Sequence, residues 1–261
     1  LEDTNIDTTG GAGPNGAGDA AGGTEGGGNV NLNVELDNTL QSGDTRAGVE
    51  KGNGGNLTIG SESGSGQLVA VGGDGGAGIG SEDRLASGNY NVGNITITGG
   101  DIFATGNGGG AGIGGGGSQS SNAGGGSNIK ITGGRVTAVG GNFSAGIGGS
   151  IGSNGDNITI SDAEVIAIGG TCAAGIGGSC RLGNGIVGQG TNISISGSAN
   201  VKAAGGVSDG IDGAGAAIGA GGSHYGRYEK AVDAQEGNAD TSGLSPDGKV
   251  ERFTPGTTFD I

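Results

Sequence analysis

Short runs of alternating apolar and polar residues recur along this chain, and glycines separate each run from the next. In the stretch Asn94-Ile-Thr-Ile-Thr-Gly-Gly-Asp-Ile-Phe-Ala-Thr-Gly-Asn-Gly-Gly-Gly-Ala-Gly-Ile-Gly114, Ile95 and Ile97 alternate with Thr96 and Thr98. A period of two predicts a strand with one buried face. Gly99-Gly100 supplies a corner, and Ile102 and Ala104 alternate with Phe103 and Thr105 in a second strand. A further glycine-rich corner leads to a third strand, in which Ala111 and Ile113 alternate with Gly112 and Gly114. Three strands and two corners predict a triangular coil.

The pattern repeats. An Asn opens the first strand at Asn29, Asn56, Asn94, Asn128, Asn157 and Asn192, and the third strand is centred on Val49, Ile79, Ile113, Ile147, Ile176 and Ile218. The step from Asn to that apolar residue is 19 in three consecutive copies (94 to 113, 128 to 147, 157 to 176), 20 in the first, and 23 and 26 in the two with insertions. A fixed step with length variation outside it is the sign of a solenoid. The inward slots superpose: Ile129/Ile131, Val136/Ala138 and Ala145/Ile147 match Ile158/Ile160, Val165/Ala167 and Ala174/Ile176. Val30/Leu32 with Ala47/Val49 reads as a degenerate first coil. The prediction is an all-β chain, a right-handed parallel β-helix of three sheets and about six coils. Handedness follows from the general preference of parallel connections. At ~4.8 Å per coil the rod is about 29 Å long.

Residues 1–26 read as a polar lead-in, 27–222 as the helix, and 223–261 as a C-terminal cap and tail lying over the rod's exposed edge. The Asn residues that open the coils, Asn56, Asn94, Asn128, Asn157 and Asn192 together with Asn29, are expected to form a buried ladder of amides bonded from coil to coil. Length variation falls mainly between the third strand and the next Asn, in segments 81–93, 115–127, 149–156 and 178–191. These leave from one corner and are expected to cluster along one edge, the natural place for binding on a rigid scaffold. Gly78, Gly112, Gly146 and Gly175 leave a strip without side chains, either because the coil is narrow there or as a flat groove for an extended ligand.

Composition sharpens this. The chain has 261 residues, of which 72 are Gly, with no Met or Trp, three Tyr and four Phe. A globular core would need more large side chains, whereas a solenoid needs only a thin one, because each coil covers the next. The net charge of −15 argues against nucleic acid and anionic membranes, and no run is apolar enough to insert in a bilayer. An acidic balance is compatible with Ca2+ as cofactor and equally with solubility alone. The absence of an initiator Met and of a leader is what an excised mature fragment would show. Cys172 and Cys180 flank one third strand; a straight chain would hold them over about 20 Å apart, so they bridge only if the glycines curl the chain back within the roughly 7 Å that a disulfide spans.

Candidate chemistry is sparse. Asp101, Asp162 and Glu164 lie near the first corner of neighbouring coils, as a solvated surface or as the acid pair that glycan cleavage requires. Glu82-Asp83-Arg84 reads as a solvated loop that could also bind, with Tyr90 beside it. His224 is the lone histidine and forms no zinc site. Tyr225, Arg227 and Tyr228 after it make the one concentrated aromatic group, a patch for stacking on sugar rings or a cap over the last coil. The GxGxxG-like glycine runs lack the Lys-Ser/Thr and the helix that phosphate binding needs. Outward Thr58, Thr96 and Thr159 share one slot, but Lys130 and Ser194 break an ice-binding array.

Units such as Asn-Ile-Thr-Ile-Thr-Gly-Gly, Arg-Val-Thr-Ala-Val-Gly-Gly and Ala-Gly-Ile-Gly-Gly resemble tandem repeats of secreted or wall-attached proteins of Gram-positive and gut bacteria, described as parallel β-helix modules. They are also similar to bacterial β-helix modules that bind acidic polysaccharide. Those carry Asp-Gly-Ile where this chain has Ala-Gly-Ile, so a calcium or uronate site there is not carried over. The resemblance covers about 27–222 and implies a secreted or cell-surface setting. The expected function is a non-catalytic adhesin or carbohydrate-binding module whose partner is a host or environmental glycan, or a protein receptor. A structural spacer within a larger surface protein is the alternative, and a polysaccharide lyase or hydrolase the third reading.

Overall fold

The computed structural model describes residues 29–43, 45–51, 55–83, 91–117, 124–180, 187–207, 214–223 and 239–253. Among them are strands and turns and no helix. The strands form three sheets, every pairing parallel, and the chain visits the sheets in turn. This is a three-sheet parallel β-helix.

The first sheet comprises Val30–Asn33, Leu57–Gly60, Ile95–Ile97, Gly125–Ile131, Gly155–Ser161 and Gly190–Ser196, with the short Asn91–Val92 paired beside the start of Gly125–Ile131. Its register stacks Val30, Leu57, Ile95, Ile129, Ile158 and Ile193 in one column and Leu32, Ile59, Ile97, Ile131, Ile160 and Ile195 in the next. The second sheet runs through Asp37–Gln41, Gln67–Val71, Asp101–Thr105, Arg135–Val139, Glu164–Ile168 and Asn200–Ala204 to Lys249–Arg252. The third has two-residue strands: Val49–Glu50, Ile79–Gly80, Ile113–Gly114, Ile147–Gly148, Ile176–Gly177 and Ile218–Gly219. The inward Ile, Val and Ala side chains of the middle coils are fully buried. Like side chains above one another make a continuous thin core from residues too small for a globular one.

Both ends carry more structure than the apolar pattern showed. The first coil has a second-sheet strand, Asp37–Gln41, with Asn38 in a slot that the next coils fill with Leu68 and Ile102. Asn38 is buried, and its amide donates to the Leu36 carbonyl at 2.6 Å. At the other end, Lys249–Arg252 adds a seventh strand to the second sheet, placing Val250 on Val201. Asp240 and Leu244 bridge to Ser194 and Gly197 of the first sheet. Residues 239–253 thus lie over the last coil as a partial seventh.

The strip of Gly78, Gly112, Gly146 and Gly175 is no groove. These glycines are buried, and a Cβ on Gly112 would stand 2.6 Å from the Val139 amide nitrogen and from the Gly146 carbonyl oxygen. The third strand lies close against the end of the second-sheet strand and is itself tightly curled: the Ala111 amide bonds forward to the Gly115 carbonyl at 2.8 Å, and the Ala145 amide to Gly149 at 2.9 Å. The strip therefore packs on backbone, and the steric reading of it holds.

Candidate functional site

The edge from which the variable segments leave is built in layers. After the first coil, whose third strand ends on Glu50, each third strand ends on a glycine at φ between +126° and +145° (Gly80, Gly114, Gly148, Gly177, Gly219). Only glycine adopts such values readily. The chain then turns out of the coil, and the described feet of successive segments bond to one another along the rod axis. The Ser150 amide donates to the Gly124 carbonyl at 3.2 Å, Gly152 to Cys180 at 2.7 Å, and Ser179 to Ser153 at 3.2 Å.

Buried serines complete this column. Ser81 Oγ accepts from the Gly116 amide at 2.7 Å. Ser150 Oγ lies 3.0 Å from the Gly116 carbonyl and 2.7 Å from that of Gly124. Ser179 Oγ spans the Ser150 and Ser153 carbonyls at 2.5 and 3.0 Å and accepts from the Ser153 amide at 2.9 Å. A hydroxyl with one donor and two acceptor positions suits a place where backbone groups of two segments converge in the absence of water. Apolar periodicity could not reveal these residues. The signal was their recurrence just after the third strand, in Gly-Ser81, Gly-Gly-Ser150 and Gly-Gly-Ser179.

The cysteines reinforce the same edge. Cys172 sits in the turn closed by the Ala173 amide on the Gly170 carbonyl, at φ 65°. Cys180 is at the foot of segment 178–191. The two are bridged with their Cα atoms 5.3 Å apart, and both are fully buried. The tight fold of the third strand provides the curl that a bridge over so few residues requires.

Asn94, Asn128, Asn157 and Asn192 all take left-handed φ, between 52° and 63°. They interrupt the first-sheet register: Ser127 pairs with Asp156 and Ile129 with Ile158, leaving the Asn pair between as a stacked kink. Asn tolerates this conformation better than other residues with a Cβ. Amide bonds join Asn157 to Asn128 at 3.3 Å and Asn192 to Asn157 at 3.0 Å. In the earlier coils the Asn56 amide nitrogen donates to Asn29 Oδ1 and the Asn94 side chain to the Gly55 carbonyl. The column is exposed, which corrects the expectation of buried amides: the left-handed kink turns each side chain off the inward face. Ahead of the kink, Gly125 and Gly126 pair with Asn91 and Val92, so the strand begins before its Asn.

Of the proposed binding residues, Glu82 and Asp83 lie among the described residues. Neither is a freely solvated loop residue. The Arg46 guanidinium reaches Glu50 at 3.1 Å and Glu82 at 3.7 Å, with the Glu50 and Glu82 side chains only 11% and 13% exposed. The Asp83 amide bonds to the Thr45 carbonyl at 2.8 Å. Glu82 through its carboxylate and Asp83 through its backbone anchor the first variable segment to the preceding coil. Lys51, at the matching foot of the first coil, is also buried, and burial pushes its ammonium below the usual lysine range. Tyr90, Arg84, His224, Tyr225, Arg227 and Tyr228 lie outside the described residues.

The acids of the first corner are separated by a cation. Arg135 stands in register between Asp101 and Glu164 and lies 3.9 Å from the Glu164 carboxylate. Asp162 occupies the corner itself at φ 52°, where Oδ1 accepts from the Ser198 amide at 2.9 Å. Among the described residues no three His, Cys, Asp or Glu side chains are grouped to hold a metal ion. No protein-family model matches the chain, and no curated protein or solved structure matches it significantly, so the edge must be read from its own residues.

Proposed function

We propose that this chain is a non-catalytic binding module displayed outside a bacterial cell, holding a glycan or a protein receptor through the segments of its third corner. The observation that carries this reading is the serine-linked column, which ties the feet of segments 115–127, 149–156 and 178–191 to one another at coil spacing. A ligand spanning several coils would then meet groups whose separation is set by the scaffold rather than by each segment alone. The buried disulfide at the same edge supports an oxidising, extracellular setting. The surplus of acidic side chains supports partners that are neutral or basic, or held through Ca2+.

The test is binding of the purified chain to a broad glycan array, with calcium and then with chelator. Variants shortened within 81–93 or 115–127 are run beside it. A selective signal lost on shortening supports the edge as the binding surface, and loss in chelator adds calcium to the site. A signal that survives both shortenings contradicts it. Silence throughout, repeated with candidate protein receptors, favours the spacer reading, which axial bonding of every coil to the next also suits.

A further inference from the structure

The two broad sheets present different chemistry outward. On the first, the outward column reads Thr58, Thr96, Lys130, Thr159 and Ser194. On the second, Val69, Phe103, Thr137 and Ile166 continue into Lys202 and Glu251 as one outward column, and Val71, Thr105, Val139 and Ile168 into Ala204 as the next. Val69, Val71, Phe103, Val139, Ile166 and Ile168 are half-buried, each keeping part of its surface accessible. With coils ~4.8 Å apart and five-residue strands, this face measures about 24 by 17 Å, or roughly 400 Å². That outline includes a column of charged residues, and within it the apolar columns make a narrower strip rimmed by charge, an arrangement that commonly marks an interaction surface.

The column bordering the patch points to the occupant. It runs Gln67, Asp101, Arg135, Glu164, Asn200, Lys249. A two-fold axis parallel to the strands, passing between those of Arg135 and Glu164, brings this column against its own reverse. Arg135 then faces the partner's Glu164, Asp101 the partner's Asn200, and Gln67 the partner's Lys249. No like charges meet. In the apolar columns Thr137 faces the partner's Ile166, Val139 the partner's Ile168, and the Phe103 ring the partner's Lys202, a cation–π geometry. Thr137 meets an apolar group, and Val69 meets Glu251 at the far rim. Sheets packed face to face cross at an angle, so register is best kept near the axis, where the favourable pairs lie. A face complementary to itself about a two-fold is what an isologous dimer requires.

We propose that two copies of this chain pair through the outer face of the second sheet, coils running in opposite order. The pairing leaves the third-corner segments of both copies outside the contact and does not depend on the ligand they hold. About 800 Å² buried in total is half the size of a standard interface, which makes the pairing a weak, transient one to be sought at high protein concentration.

Sedimentation equilibrium of the full chain from about 10 µM to 1 mM tests this. The average mass is expected to climb from 24.2 kDa toward twice that value. Ile166→Glu should abolish the rise, and Arg135→Glu should weaken association about tenfold by opposing two acids. The double swap R135E/E164R should recover it, because the cross-axis pair is restored with its signs exchanged. Thermal melts confirm that each variant is folded. A wild-type chain that stays at its monomer mass to about 1 mM overturns the proposal. So does an Ile166→Glu chain that associates like wild type, or a folded swap variant that fails to recover.

Discussion

The first and third sheets are stacked with the same coil repeat but by different means. In the first sheet, columns of Ile and Leu fill the interior and outward Thr, Ser and Asn meet water. In the third, each coil contributes two residues, and what lets the coils approach is the lack of a side chain: a Cβ on Gly114 would collide with the Gly148 carbonyl, and one on Gly148 with that of Gly177. Both sheets bury a column of apolar residues, Ile113 and its neighbours in the third, but only the third depends also on what its residues omit. The variable segments spring from the third, so their spacing is inherited from backbone-to-backbone contact and has little room to adjust.

Substitutions should separate the two modes. Gly114→Ala adds one methyl group yet must abandon φ +137° and displace the next coil, so we expect a loss of about 4 kcal/mol or more by urea unfolding. Ile131→Ala, in a fully buried column of the first sheet, should cost about 3 kcal/mol, the usual cavity penalty. If Ile131→Ala is the more damaging of the two, the contrast fails. Reducing the Cys172–Cys180 bridge under denaturant should lower stability by about 2 kcal/mol, because the closed loop is short. Asn157→Ala should cost about 1 kcal/mol, while Asn157→Gly should come within a few tenths of wild type, since glycine keeps the left-handed kink and loses only an exposed amide bond. Equal losses for the Ala and Gly variants would mean that the amide ladder rather than the kink is what matters.

What could be read from the sequence follows the same division. Columns such as Ile95–Ile129–Ile158 announce themselves by period two, and with them the coil, its three sheets and the corner that sheds the variable segments. Features without an apolar signal stayed hidden. The strand Asp37–Gln41 carries Asn38 in its inward slot, and Lys249–Arg252 reads as a charged tail until its register with Asn200–Ala204 is seen. Ser150 and Ser179 look like loop serines, because nothing in their type tells a buried hydroxyl bridging carbonyls from a solvated one. Glu82 looked solvated because its partner Arg46 lies one coil away, a contact that only stacking creates.

The two-residue third strands belong to the rod as fully as the longer strands do, and so can hold the variable edge in place. Residue-resolved amide hydrogen exchange tests it most directly. The Ile79, Ile113 and Ile147 amides, bonded to the Gly112, Gly146 and Gly175 carbonyls at 2.9 to 3.0 Å, should exchange as slowly as those of Ile97 and Val136, all reporting one cooperative unfolding. Third-strand amides that exchange orders of magnitude faster, while the first and second sheets stay protected, would mean that this edge is a set of independent loops, and the account would be wrong.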